Sequence, residues 1–126
     1  MAGVMEMVSN AKAGIENLTV EDVSRELNED HAVLVDIREP QETDQGVIAG
    51  AVLAPRGMLE FYADPTTPYY MEIFSPDRRI ILYCAAGSRS ALAARTLQEL
   101  GYRNVAHLDG GLKTWTEAGK SLQPAV

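Results

Sequence analysis

The fold of this chain is indicated most strongly by the segment Ile80-Ile81-Leu82-Tyr83-Cys84-Ala85-Ala86-Gly87-Ser88-Arg89-Ser90. Residues 80–83 are apolar and mostly β-branched or aromatic, which is typical of a buried strand. From Ala91 to Leu100 apolar residues recur at helical spacing, so residues 84–89 are predicted to form a strand-to-helix turn. The segment therefore places the one cysteine of the chain, Cys84, at the start of that turn.

A cysteine in such a turn is suited to nucleophilic chemistry. The next four residues, Ala85, Ala86, Gly87 and Ser88, are too small to shield the sulfur, and they allow backbone N–H groups to converge on a bound group. The positive end of the following helix and the guanidinium of Arg89 also favour negative charge there. The loop is therefore predicted to bind an anionic sulfur, with Cys84 as the nucleophile.

Each of these residues also has a structural explanation. A free cysteine is often a small buried hydrophobe, and Cys84 follows a core strand. Arg89 could be an ordinary surface arginine, although cations are disfavoured at helix N-termini. Ser88 could cap the helix or donate its hydroxyl to the sulfur. The run of small residues is what favours the functional interpretation of Cys84, because a structural cysteine needs no such loop.

Strands and helices alternate along the whole chain. Strands are expected near residues 15–18, 32–36, 51–54, 79–83 and 104–108, and helices near 3–13, 19–28, 57–63, 88–100 and 111–118. This alternation predicts an α/β fold with a central parallel five-stranded sheet, right-handed crossovers and helices on both faces. Ligands of such sheets bind at the carboxyl ends of the strands, where Asp36 and Cys84 lie.

The composition restricts the function classes. A chain of 126 residues can bury an ordinary core as one domain, and one cysteine cannot form an internal disulfide. The excess of 18 acidic over 11 basic residues argues against nucleic acid and anionic membranes as partners. Anions must then be attracted locally, with Arg38, Arg56 and Arg89 as candidates. Neither a signal-like start nor a membrane-length apolar run is found, so a cytoplasmic protein is expected.

The chain resembles the rhodanese-like sulfurtransferases from about Ile15 to Gly119. The resemblance rests on several motifs in the expected order, which are Val35-Asp36-Ile37-Arg38-Glu39-Pro40, Gly46-Val47-Ile48-Ala49-Gly50-Ala51, Pro55-Arg56-Gly57, the loop from Cys84 to Arg89, Leu100-Gly101-Tyr102, and Leu108-Asp109-Gly110-Gly111 with Trp115 close behind. Each motif is weak by itself, but the ordered set is specific.

The resemblance implies a rhodanese-like domain over residues 15–122, preceded by an N-terminal helical extension over residues 1–14. It implies that Cys84 carries sulfane sulfur as a persulfide, without a cofactor. Asp36 and Arg38 match the family's Asp-x-Arg element, which could contact substrate, although an internal ion pair is preferred for Asp36. Arg56 lies where the family chain passes near the active site, so substrate contact and structural pairing are equally plausible.

These observations favour a thiosulfate sulfurtransferase that passes sulfur to a thiol, cyanide or protein acceptor. One alternative is a phosphatase or arsenate reductase, since related domains use Cys-x5-Arg loops, whereas the spacing here is Cys-x4-Arg. The other is a non-enzymatic module that carries sulfur or docks partners. His31 and His107 are interpreted as surface or core residues, and no pair of Cys or His has metal-ligand spacing. The physiological donor and acceptor, the pathway and the oligomeric state are not specified by the sequence.

Overall fold

The structure, a computed structural model, describes residues 3–125 and confirms the predicted α/β architecture. Five parallel strands form one sheet in the order β1-β5-β4-β2-β3. The strands are β1 (Glu16–Leu18), β2 (Ala32–Asp36), β3 (Val52–Leu53), β4 (Arg79–Tyr83) and β5 (Val105–Leu108). The helices are α1 (Val4–Ala13), α2 (Val20–Asn28), α3 (Pro40–Thr43), α4 (Leu59–Ala63), α5 (Ser88–Glu99) and α6 (Gly111–Glu117), with a 3₁₀ turn at Arg56–Met58.

Strand β4 lies in the middle of the sheet and divides the core into two layers. Its side chains alternate between the faces, so that Ile80 and Leu82 pack in one layer while Ile81 and Tyr83 pack in the other. The first layer includes residues of α4 and α5, and the second includes residues of α2 and α6. Both faces of the sheet are therefore covered, which explains why β4 reads as a continuous apolar run.

Local sequence signals account for the starts of two helices, α2 and α3. Thr19 is the N-cap of α2, and it exchanges hydrogen bonds with Asp22 in a capping box. Helix α3 was not predicted because four residues are too few to show a helical period. Its signal is a second capping box, between Glu39 and Glu42, with Pro40 in the first turn.

Helix α1 packs against α5 through Val8 and Ala11, which contact Ala91. Val4, which lies at helical spacing from Val8 and Ala11 in the sequence, does not share their burial and is 63% exposed. Among residues 3–125, none of the helices has the length and apolar character needed to cross a membrane. The cellular compartment stays a prediction from the sequence.

Two further side chains have defined places in the structure. Trp115, on α6, is buried in the core layer that also contains Ile81 and Tyr83. Arg79 does not lie in a solvated turn, which is the simplest interpretation of the pair Arg78-Arg79 in the sequence. It is the first residue of β4, its side chain is largely buried, and it forms ion pairs with Glu16 and Glu26. The sequence could not show this, since both partners come from distant elements.

The close approach of α6 to the turn after β4 generates a stability prediction. A Cβ on Gly111, where φ is +62°, would lie 2.6 Å from the carbonyl oxygen of Cys84. Gly111→Ala should therefore lower the free energy of unfolding by about 3 kcal/mol or more, measured by urea denaturation. Gly50→Ala is the matched control, because Gly50 has a φ of +83° but open space around it, and it should cost about 1 kcal/mol. Equal costs would contradict the steric account.

Candidate functional site

Cys84 lies at the carboxyl edge of the sheet, between the ends of its two neighbouring strands. Residue Asp36 of β2 pairs in register with Tyr83, and the N–H of Ile37 donates to the carbonyl of Tyr83 at 3.1 Å. On the other side, β5 ends at Leu108 and leads into the glycines that open α6. The parallel sheet therefore brings three connecting segments together around one sulfur.

The turn after β4 folds its backbone amides toward that sulfur. The N–H groups of Gly87 and Ser90 donate to Sγ of Cys84, with N···S distances of 3.2 and 3.3 Å. Gly87 adopts a left-handed conformation with φ of 99° and is the N-cap of α5, so the alternative that Ser88 caps this helix is wrong. Cys84 is 1% exposed. Directed N–H groups in a buried pocket stabilise negative charge on sulfur.

The carbonyl groups of the same turn point away from the sulfur and are held by α6. The carbonyl of Cys84 accepts from the N–H of Leu112 at 2.9 Å, and that of Ala85 accepts from Lys113 at 3.0 Å. A Cβ on Gly87 would lie 2.9 Å from the backbone nitrogen of Gly110, so glycine is needed where the two segments meet. Helix α6 thus fixes which side of the loop presents donors to Cys84.

Arg89 is held by a carboxylate and is not free. Its two terminal nitrogens donate to Oε1 and Oε2 of Glu42 at 2.7 and 2.9 Å. The hydrogen bond from Arg89 lowers the pKa of Glu42 to about 2, with burial acting in the opposite direction. The same hydrogen bond raises the pKa of Arg89. The two charges therefore balance each other at the mouth of the loop.

Asp36 and Arg38 form a buried ion pair, the alternative preferred for Asp36. The Nη2–Oδ2 distance is 2.8 Å, and the side chains are 0% and 4% exposed. Arg38 also donates to the carbonyls of Glu42 and Gly46, and it lies over the ring of Tyr83. Burial lowers the pKa of Arg38, but the hydrogen bonds and charge of Asp36 outweigh it and raise the pKa overall. This pair anchors the segment that carries Glu42.

The other predicted site residues occupy different positions. Arg56 pairs with Glu60 at 2.7 Å and donates to the hydroxyl of Thr96. Ala85, Ala86 and Ser88 complete the loop, whose Ala86 is exposed. Contact of any of these residues, or of Arg38, with a substrate stays a prediction.

Ser90 and His107 were not predicted as parts of the site. The hydroxyl oxygen of Ser90 lies 3.5 Å from Sγ of Cys84 and 2.8 Å from Nδ1 of His107. Nε2 of His107 lies 2.7 Å from Oδ1 of Asn17. His107 is fully buried, in agreement with one of its two predicted alternatives, and burial lowers its pKa to about 4. The position of Ser90, one residue after Arg89 in the helix, was the signal available in the sequence.

The fold and this loop define a class, that of parallel α/β proteins with a cysteine in a strand-to-helix turn whose backbone N–H groups point at the sulfur. The Rhodanese-like domain model matches residues 19–118. The chain therefore belongs to the rhodanese-like domain family, in agreement with the resemblance found in the sequence.

Similar proteins include named sulfurtransferases. A protein from Allochromatium vinosum named sulfurtransferase is 36% identical over 87 residues, which cover 69% of this chain and 74% of that one. A structure from Rhodopseudomonas palustris, called a protein of unknown function and "possible tyrosine phosphatase", is 41% identical with a TM-score of 0.91, covering 98% and 96%. A thiosulfate sulfurtransferase from Pseudomonas aeruginosa is 26% identical with a TM-score of 0.79, covering 98% of this chain but only 23% of its own.

The buried imidazole predicts how stability depends on pH. The folded-state pKa of His107 is lowered from 6.5 to about 4, so in this interval the unfolded chain binds the proton that the folded chain excludes. The stabilisation is complete above pH 6.5 and is lost as the pH falls to about 4, by about 3 kcal/mol. His107→Asn should remove this loss in urea unfolding series, whereas His31→Asn, at an exposed histidine, should retain it. Identical pH slopes in the two variants would refute the assignment.

Proposed function

We propose that this protein is a sulfurtransferase that transfers sulfane sulfur through a persulfide on Cys84. The observation that carries the proposal is the pair of backbone N–H groups directed at Sγ of Cys84. Such donors stabilise a sulfur anion without reorganisation during the reaction, because they are already oriented in the folded chain. Membership of the rhodanese-like family and the similarity to sulfurtransferases support the same chemistry.

The first step loads the enzyme. The thiolate of Cys84 attacks the outer sulfur of thiosulfate or a similar donor, a new S–S bond forms, and the S–S bond of the donor breaks. Sulfite leaves with the electron pair, and the enzyme becomes Cys84–S–S⁻. In the second step an acceptor attacks the outer sulfur and releases the Cys84 thiolate. A thiol, cyanide or a protein acceptor can serve as that nucleophile.

The charge balance at the loop favours a small anion. Glu42 already neutralises Arg89, so the remaining attraction for an anion comes from the amides and the start of α5. This arrangement suits the singly charged outer sulfur of a Cys84 persulfide better than a doubly charged phosphate group held inside the loop. Thiosulfate as donor is supported by the name of the Pseudomonas aeruginosa relative, and it is the donor with which the proposal is tested.

Loading should be visible as a mass change. After incubation with thiosulfate, the intact protein should gain the mass of one sulfur atom, because Cys84 has no second cysteine with which to form a disulfide. Cyanide or dithiothreitol should remove the added sulfur. The measurement is mass spectrometry under non-reducing conditions.

Two variants control this experiment. Cys84→Ser should show no adduct, whereas His31→Asn should load as the wild type does. An adduct that persists in Cys84→Ser would overturn the assignment of the nucleophile. A wild type that never gains sulfur would overturn thiosulfate as the donor.

A phosphatase is the second candidate, and the name of the Rhodopseudomonas palustris neighbour is the observation that favours it. Two features weigh against it. The Cys84-to-Arg89 spacing is one residue shorter than the Cys-x5-Arg loop of related phosphatases. In addition, Arg89 is engaged by both oxygens of Glu42, so it does not offer its two terminal nitrogens to a phosphate group.

Loop length generates a separate prediction. The wild type should be inert toward aryl phosphates, because a tetrahedral group would sit too high above the thiolate, and a misplacement near 1 Å costs on the order of 10²-fold in rate. Inserting one glycine between Ala86 and Gly87 should lower sulfur transfer and admit weak phosphatase turnover that depends on Cys84. Both activities are measured on the same preparations. Phosphatase activity in the wild type that exceeds its thiosulfate activity would reverse the ranking.

A further inference from the structure

The chain of hydrogen bonds behind Cys84 has a direction that the structure determines. It begins at Asn17, whose amide nitrogen donates to the carbonyls of Lys12 and Ile15 at 3.0 and 3.2 Å. The amide oxygen of Asn17 therefore faces His107 and accepts from Nε2, so Nε2 carries the ring proton. In the neutral ring, Nδ1 is then the acceptor of the Ser90 hydroxyl hydrogen.

The direction of these hydrogen bonds determines whether the Ser90 hydroxyl is a donor or an acceptor toward the sulfur of Cys84. The hydroxyl has one hydrogen, and it is closer to Nδ1 of His107, at 2.8 Å, than to the carbonyl of Gly87, at 3.3 Å. Toward Cys84 the oxygen presents lone pairs, at 3.5 Å from Sγ. Those lone pairs accept a thiol hydrogen but repel a sulfur anion. When His107 is neutral, the hydrogen-bond chain therefore stabilises the protonated thiol of Cys84.

Protonation of His107 at Nδ1 makes the same hydrogen-bond chain stabilise the sulfur anion of Cys84. If Nδ1 of His107 is protonated, it donates to Ser90, and the Ser90 hydroxyl hydrogen turns toward the sulfur. Every donor and acceptor then has a partner again, including Nε2 on Asn17. In both states, every polar group of this hydrogen-bond chain from Asn17 to Cys84 has a partner. This is a requirement for a network that exchanges a proton in the core.

We propose that Ser90 and His107 form a proton relay that holds the thiol proton of Cys84 at Nδ1 of His107 while the sulfur is anionic. The S–H bond of Cys84 breaks as an O–H bond forms on Ser90, and the original O–H bond of Ser90 breaks as an N–H bond forms on His107. The electron pair of the S–H bond stays on sulfur. His107 acts only through Ser90 and is a positioning residue.

The charges around His107 are compatible with this role. Asp109 favours the protonated ring and Lys12 disfavours it, and these two groups pair with each other at 2.7 Å. Burial is the strongest of these influences, and it keeps the ring neutral. Asn17 on β1 and Ser90 on α5, the other partners of the ring, carry no charge. A sulfur anion at Cys84 is then the counter-charge that a buried imidazolium lacks, and the two ionisations favour each other.

The relay rests on the proposed persulfide function for its use in catalysis, but it is tested without any sulfur donor. The measurement is the rate of Cys84 alkylation by iodoacetamide as a function of pH. Coupled groups titrate in two macroscopic steps, so the wild-type rate should show a plateau between two rises. His107→Asn keeps an acceptor near the position of Nδ1 but cannot take up a proton, and its rate should show a single rise.

The relay predicts how much each variant slows the alkylation of Cys84, and at which pH. At about pH 5.5, Cys84 should be alkylated about tenfold more slowly in His107→Asn and in Ser90→Ala than in the wild type. A tenfold change in rate corresponds to a displacement of the pH profile by roughly one unit. At about pH 10, above the ordinary pKa of a free thiol, all rates should converge. His31→Asn should follow the wild-type curve. Equal wild-type and His107→Asn profiles would overturn the relay, as would a slowing that is the same at every pH, which marks a structural defect.

A second readout observes the ring itself. The protein has two histidines, so ¹⁵N-labelled histidine gives one buried signal and one exposed reference, His31. The pKa of His107 should be higher in the sulfur-loaded protein than in Cys84→Ser, whose hydroxyl is neutral. An unchanged value would overturn the relay. If no sulfur adduct forms while the alkylation plateau depends on His107, the relay holds and the proposed function fails. If an adduct forms without the plateau, the proposed function holds and the relay fails.

Discussion

The candidate site depends on one buried ion pair, between Asp36 at the end of β2 and Arg38 two residues later. The guanidinium saturates the carboxylate and also holds the carbonyls of Glu42 and Gly46. Removing one partner of such a pair leaves an uncompensated buried charge, which costs about 3–5 kcal/mol. The ion pair therefore holds the backbone of the segment after β2 in one conformation. That conformation places the carboxylate of Glu42 where it forms its salt bridge with Arg89.

A second consequence of this arrangement is that the sulfur contacts neutral donors. Arg89 at the mouth of the loop is paired with Glu42, and Lys12 and Asp109, which act on His107, are paired with each other. The groups in contact with the sulfur are the backbone N–H groups of Gly87 and Ser90 and the Ser90 hydroxyl. Backbone dipoles keep their orientation without side-chain entropy, and salt screens them less than it screens exposed charges. This environment is compatible with the proposed anionic sulfur on Cys84 in a protein whose net charge is negative.

The sequence specified the layered fold well, and the site less completely. Strand β4 and the turn at Cys84 were predictable because the apolar run, the small residues and the helical period are all local. Helix α3 was too short to show a period. The connection of His107 to Cys84 joins β5, α5 and β1, and nothing local to His107 distinguishes it from any core histidine. Pairing of Arg89 with Glu42 likewise spans 47 residues of sequence.

The contacts that hold the cysteine loop come mostly from the last quarter of the chain. The N–H groups of Leu112 and Lys113 donate to the loop carbonyls, and His107 on β5 contacts the hydroxyl of Ser90. On the ribosome, Cys84 is therefore synthesised before these partners. A nascent chain that ends before α6 lacks the contacts that hold the loop, and a thiol without them is more accessible to oxidants and to other thiols. Protein synthesis therefore includes an interval in which this cysteine lacks the contacts that surround it in the folded chain.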